Sequence, residues 1–186
     1  MKKLMLAVAM MVATISASAQ VYVGGGINFH TIDDGSDNNK TVIGIRPEVG
    51  YKLDDKLSIG IALGYNSTKQ GDVKSSDWSI APYARYTFAK WNNVGFFGEA
   101  EFAYGHSEDK LDAGSASLTT NKYNAWSLGV RPGISIDVTK NFTFLTKIGW
   151  LGYKSKKLDA DGAKATNDFG LDLSGEDIQF SLVYNF

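Results

Sequence analysis

The sequence predicts an all-β protein, an eight-stranded antiparallel up-and-down barrel that crosses a membrane and follows a cleaved signal peptide. Three observations predict it. Beyond residue 19, apolar and polar residues alternate with period two in eight runs of ten or more residues, the pattern of strands with two unlike faces. The breaks between these runs are short and long in strict alternation. The aromatic residues collect on one face, in numbers that no eight-stranded interior can hold.

The N-terminus comes first. Lys2 and Lys3 form a positive start, Leu4 to Ile15 is a nearly unbroken apolar run, and Ala17-Ser18-Ala19 offers small residues for cleavage. At 12 residues the run is short of the roughly 20 that a helix needs to span a bilayer, so residues 1–19 read as a signal peptide and 20–186 as one barrel domain. The mature chain then carries 17 basic and 20 acidic residues, a net charge of -3. There is no basic excess to suggest nucleic acid. Cysteine is absent, which excludes a disulfide frame, a thiolate metal site, a cysteine nucleophile and a lipid-modified N-terminal cysteine.

Strands are expected at 21–30, 41–53, 57–66, 78–88, 94–105, 125–138, 142–153 and 176–186. Their lengths suit tilted strands that cross a bilayer. Asp54-Asp55-Lys56, Ala89 to Asn93 and Thr139-Lys140-Asn141 are the short breaks; about 31–40, 67–77, 106–124 and 154–175 are the long, polar ones. Short turns on one side and long loops on the other are the asymmetry of outer-membrane barrels, with both termini on the periplasmic side. Gly44-Ile45-Arg46-Pro47 recurs as Gly129-Val130-Arg131-Pro132, and Ile80-Ala81-Pro82 is a weaker third copy. Prolines inside strands cannot donate to the ladder, so these three predict bulges or kinks that help the sheet curl.

The faces can be told apart by their contents. Sixteen of the 23 aromatics share one face, and only Tyr22, Tyr83 and Phe97 lie on the other. The ring-rich face must therefore point outward. It is banded: Trp78, Tyr104, Trp126 and Trp150, with Phe29 and Tyr65, stand at the loop end. Tyr51, Phe88 and Phe142, with Tyr86, Phe96, Phe144, Tyr184 and Phe186, stand at the turn end. Aliphatic residues such as Ile45, Val49, Ile61, Val130 and Leu182 lie between. Two aromatic girdles around an aliphatic belt match a bilayer, because amphipathic rings settle at the headgroups. The inward face holds many glycines and serines, five bases (Arg46, Lys52, Arg85, Arg131, Lys147) and five acids (Glu48, Glu99, Glu101, Asp137, Asp177). Buried charge is costly unless paired, so a balanced set predicts an ion-paired lumen, with an Arg85–Glu99–Arg131 ladder across it.

The last strand places Phe180, Leu182, Tyr184 and Phe186 on alternate positions and stops on phenylalanine. This resembles the C-terminal signature that outer-membrane barrels present to the barrel-assembly machinery. Taken whole, residues 20–186 resemble the small OmpA/OmpX-type barrels, closest to the Bacteroidetes-type outer-membrane β-barrel proteins of the porin family. The resemblance implies an outer-membrane location, a monomer among lipid and lipopolysaccharide, and exposed loops that vary between members; it implies no shared activity.

No residue pattern predicts catalysis, a cofactor or a bound metal. His106-Ser107-Glu108 has the residue types of a hydrolase triad, but neighbours on a strand face opposite ways, and His30 stands alone. Asp159-Ala160-Asp161-Gly162 with Asp168 partly matches a calcium loop but has Lys157 where its first aspartate belongs. Asp33, Asp34 and Asp37 cluster in the first loop. Solvated loops are the expectation for all of these. The leading functional expectation is a structural or surface-interaction barrel with a closed lumen, whose loops are open to an extracellular ligand. A narrow solute channel comes second and a lipid-modifying enzyme third.

Overall fold

The computed structural model describes residues 20–32, 40–71, 73–113, 116–160, 162–173 and 178–186, and at 28–32, 40, 112–113 and 116–120 it describes the backbone alone. The expected signal peptide, Asp33, Asp34, Asp37, Asp161 and Asp177, and the side chains of Phe29 and His30 lie outside the described residues. The strands are β1 (Val21–Ile32), β2 (Lys40–Lys52), β3 (Leu57–Gln70), β4 (Val73–Trp91), β5 (Val94–Ala113), β6 (Ala116–Asp137), β7 (Phe142–Lys147), β8 (Trp150–Leu158), β9 (Ala165–Asp172) and β10 (Gln179–Asn185).

β1 to β6 pair in chain order, β6 pairs with β7, β7 with β10, and β10 with β1, all antiparallel, closing a hoop of eight strands. Closure leaves that part of the sheet without an edge, so its backbone polar groups are satisfied internally, as a bilayer requires. β8 continues the stave of β7 and pairs with β6, and β9 pairs with β8 and ends the strand order.

The single strand expected at 142–153 is thus interrupted. Below the break Gly133 faces Lys147; above it Val130 faces Leu151. One side advances three residues while the other advances four, so one residue is inserted. Gly149 absorbs it in the left-handed region, at φ 70°. The expected long loop at 154–175 is largely strand as well, because β8 and β9 form a hairpin through it. Likewise β3 and β4 approach to Gln70 and Val73, and β5 and β6 run to Ala113 and from Ala116, so the second and third loops are mostly hairpin that extends beyond the expected span.

The three prolines do not all act alike. Each keeps one strand partner: Pro47 faces Gly25, Pro82 faces Ile61 and Pro132 faces Gly98. On the other side of Pro47 the ladder runs from Ile45–Tyr65 directly to Glu48–Ala62 without a register shift, and beside Pro82 from Ile80–Tyr104 to Tyr83–Glu101 in the same way. A missing N–H removes a rung there and no bulge follows. Only Pro132 adjoins a register shift, the one at Gly149.

The lumen is filled at mid-height. Tyr22, Tyr83 and Phe97 are buried with Ala62, Ala81, Leu145 and Val183. Each of these rings has a glycine directly opposite it on a neighbouring strand: Gly50 for Tyr22, Gly60 for Tyr83 and Gly133 for Phe97. A Cβ on Gly60 would stand 2.5 Å from the Tyr83 ring, and Cβ atoms on Gly50 and Gly133 would collide with the Tyr22 and Phe97 rings. The absent side chains are therefore the space in which the rings lie, a cross-strand device that pins register.

Candidate functional site

The candidate site has two parts, the lumen and the outer wall with its rim. In the lumen Glu99 is fully buried and accepts from two cations. Arg85 donates through Nε at 2.8 Å to Glu99 Oε2, with Nη2 2.6 Å from the same oxygen, and Lys147 Nζ donates to Oε1 at 2.6 Å. Glu48 takes the other side of the same cations, 3.3 Å from Arg85 and 3.7 Å from Lys147. Two cations meet two carboxylates, and Lys147 is only 1% exposed, so the cluster is desolvated and neutral as a set. Arg85 also faces the rings of Tyr83 and Phe97, at 5.0 and 5.2 Å from their centroids. Tyr22 and Tyr83 hydroxyls are hydrogen-bonded at 2.9 Å. Arg46 pairs with Glu101 in a second layer.

The expected ladder is corrected at one rung. Arg85, Glu99 and Arg131 do lie in register across β4, β5 and β6. Glu99 nevertheless turns to Lys147, and Arg131 stacks on Trp150, with its guanidinium carbon 5.0 Å from the ring. A residue two strands away thus reaches the carboxylate that the directly opposite one does not.

Trp150 is also corrected. It was expected in the loop-end girdle but is 3% exposed and faces inward beside Arg131 and Lys154. The cause is the inserted residue at Gly149, because a one-residue slip sends every later side chain to the opposite face. The phase carries Lys154, Lys156, Thr166 and Asp168 to the inner side and Leu151, Phe169 and Leu171 to the outer side.

The other girdle residues are exposed: Trp78, Tyr104 and Trp126 at the loop end, Tyr51, Phe88 and Phe142 at the turn end. Phe88 sits at a second bulge, between Thr87 and Ala89. Ile45, Ile61, Leu128, Val130 and Leu182 lie exposed between the two groups. So broad an apolar outer surface has no stable place in water. At the C-terminus Phe180 and Leu182 are exposed, Phe180 stacks on Phe144, and Tyr184 packs edge-on against Phe142 and Phe186.

A family model described as the outer membrane protein beta-barrel domain matches residues 4–186. The chain belongs to this outer-membrane β-barrel family. Solved structures of similar fold include Neisserial surface protein A, with 16% identity, 91% of this chain and 98% of that one covered, and a TM-score of 0.52. The translocator domain of the autotransporter NalP from Neisseria meningitidis has 11% identity, 96% and 92% coverage and a TM-score of 0.53. OprG from Pseudomonas aeruginosa has 14% identity, 90% and 96% coverage and a TM-score of 0.51. Among curated proteins none matches. At these identities the structures show a shared fold. The protein is an integral outer-membrane barrel.

The remaining candidates separate. His106 and Ser107 do not meet: β5 runs straight through them, His106 beside Trp78 and Ser107 beside Asp77 on the opposite face. His106 Nδ1 is 2.9 Å from Asn124 Oδ1. The partial calcium pattern is pulled apart, since Asp159 lies in a bend after β8 and Asp168 in β9 opposite Lys154. Asp137 pairs with Lys90 at 2.8 Å at the turn end. The sequence places Tyr22, Tyr83 and Phe97 inward; the structure adds that each ring fills the space opposite a glycine.

Proposed function

We propose that this barrel is a closed anchor that displays loops at the cell surface. It is exported by a signal peptide over residues 1–19, inserted as a monomer through the assembly machinery by its terminal Phe180–Phe186 segment, and lies with both termini in the periplasm among lipid and lipopolysaccharide. The supporting observation is the lumen cluster. Glu48, Arg85, Glu99 and Lys147, capped by Tyr22, Tyr83 and Phe97, occupy the barrel's cross-section where an ion would have to pass. Displacing any member leaves an unpaired buried charge. One protein of similar fold is itself named a surface protein. The absence of a shared face for His106 and Ser107 weighs against a lipid-modifying enzyme.

A narrow channel is the second reading. Two cavities favour it: one of about 420 Å³ on the turn side, floored by Tyr22, Arg85 and Phe97, and one of about 370 Å³ on the loop side, beside Lys154 and Asp168. Planar-bilayer recording of the refolded protein decides between them. The anchor predicts no steady openings in the wild type and openings after Arg85→Ala with Glu99→Ala and Lys147→Ala. Sustained wild-type conductance would establish the channel.

A further inference from the structure

The rim above the loop-end aromatics carries charge that the strand pairing alone makes unfavourable. Lys69 of β3 faces Lys74 of β4, and Lys74 faces Lys110 of β5, so three lysines stand side by side on one face of three adjacent strands. Like charges directly opposite one another destabilise a sheet. The face is the outward one, since Lys69 and Lys74 lie four residues from Tyr65 and Trp78, themselves exposed and paired. Two residues nearer the girdle, Glu108 faces Lys122 and lies 3.3 Å from its Nζ and 3.7 Å from that of Lys110. Among the described residues no carboxylate is paired with Lys69 or Lys74, and Lys110 and Lys122 share the one glutamate.

Two other acids of these hairpins are turned away. Asp77 and Asp109 sit on the opposite face of β4 and β5, Asp109 bonded to Ser75 across the strands. A chain whose net charge is negative has thus gathered an outward basic row along one register line. Four residues of tilted strand place that row roughly 10 Å above the aromatic ring level. Lysine stems reach back several ångströms along the wall. The ammonium groups therefore lie at the headgroup layer of the outer leaflet.

We propose that Lys69, Lys74 and Lys110, with Lys122, bind the phosphate groups of the outer leaflet's glycolipid. The anion offsets the repulsion within the row and ties the extended β3–β4 and β5–β6 hairpins to the membrane surface. This rests on the reading that the long hairpins face outward from an outer membrane.

The test uses the full mature barrel refolded into phosphatidylcholine vesicles that contain diphosphoryl lipid A, its phosphate-free counterpart, or phosphatidylglycerol. Retained lipid is measured by native mass spectrometry after detergent extraction. Wild type should retain diphosphoryl lipid A, and Lys69→Gln with Lys74→Gln and Lys110→Gln should weaken retention about a hundredfold. The same charge change at the turn end, Lys56→Gln with Lys90→Gln and Lys140→Gln, should leave retention unchanged. Competition by inorganic phosphate at the concentration of the lipid, equal retention of the phosphate-free lipid, equal retention of phosphatidylglycerol, or wild-type retention by the rim variant each overturns the assignment. Failure to insert into any vesicle would instead overturn the membrane-barrel reading on which it rests.

Discussion

Removing the Lys147 ammonium probes the lumen cluster most directly. Lys147→Met keeps the length and apolar stem of the side chain and deletes only its charge. At an effective dielectric of 20, the attraction to Glu99 at 2.6 Å is about 6 kcal/mol and that to Glu48 at 3.7 Å about 4 kcal/mol. Repulsion from the nearby Arg85 guanidinium and the desolvation of the ammonium cancel much of this. What persists is the cost of leaving a buried carboxylate with too few cations, typically 3–5 kcal/mol. Glu99 keeps both of its contacts to Arg85, so the low end applies, about 3 kcal/mol. In urea unfolding of the barrel in vesicles, that is a drop in midpoint of roughly 1–3 M. A double-mutant cycle with Glu99→Gln should give a coupling of at least about 1.5 kcal/mol, because the second substitution removes the stranded charge. The cycle of Glu99→Gln with Arg131→Met should give less than about 0.5 kcal/mol. Equal coupling in the two cycles, or an unchanged midpoint for Lys147→Met, would refute the account of the lumen.

Three further outcomes are expected. Gly60→Val pushes into the Tyr83 ring and breaks its hydroxyl bond to Tyr22, and should cost about 1–3 kcal/mol in the same unfolding assay, whereas Gly98→Val, with no atom within 4 Å of its Cβ, should cost less. In single-tryptophan variants, brominated lipid should quench Trp78 and Trp126 strongly and Trp150 little; strong quenching of Trp150 would place it back on the outer wall. Hydrogen bonding and charge from Lys122 hold the Glu108 carboxyl below the usual glutamate range in the hairpin above the membrane. Its folded value is the depressed one, so its contribution is complete above the unfolded value and is lost as pH falls through the folded one. Amide exchange of the β5–β6 hairpin should accordingly rise in acid below the ordinary glutamate range, and Glu108→Gln should abolish that rise.

The barrel was readable from period and composition because its two solvents, lipid and a packed lumen, sort side chains by parity. The positions of Tyr22, Tyr83 and Phe97 follow from parity alone. Parity also puts Arg85 and Glu99 on the inward face, but their standing directly opposite depends on the bulge between Thr87 and Ala89. Trp150 escaped because Phe142, Phe144 and Ile148 continue the outward parity to its door, and nothing in Ile148-Gly149-Trp150 announces that the glycine takes a positive φ. The Lys147–Glu99 pair escaped for a different reason. Register tells which residues stand opposite, whereas a lysine buried in a small lumen can reach across to a strand that is not its neighbour. The polar hairpin extensions read as loops in the sequence because bilayer thickness sets the expected strand length, whereas pairing in water has no such limit.

The interruptions of the seventh and eighth staves fall at one height, where β7 gives way to β8 and β9 to β10. Among the described residues, the β8–β9 hairpin is fastened to the rest of the sheet through β6 alone. It is a flap hung from a single hinge line above an uninterrupted ring. Such a unit can open as its own foldon without a single ring hydrogen bond being surrendered. Its amides should exchange ahead of the hoop, and its sequence is free to diverge at no cost to closure.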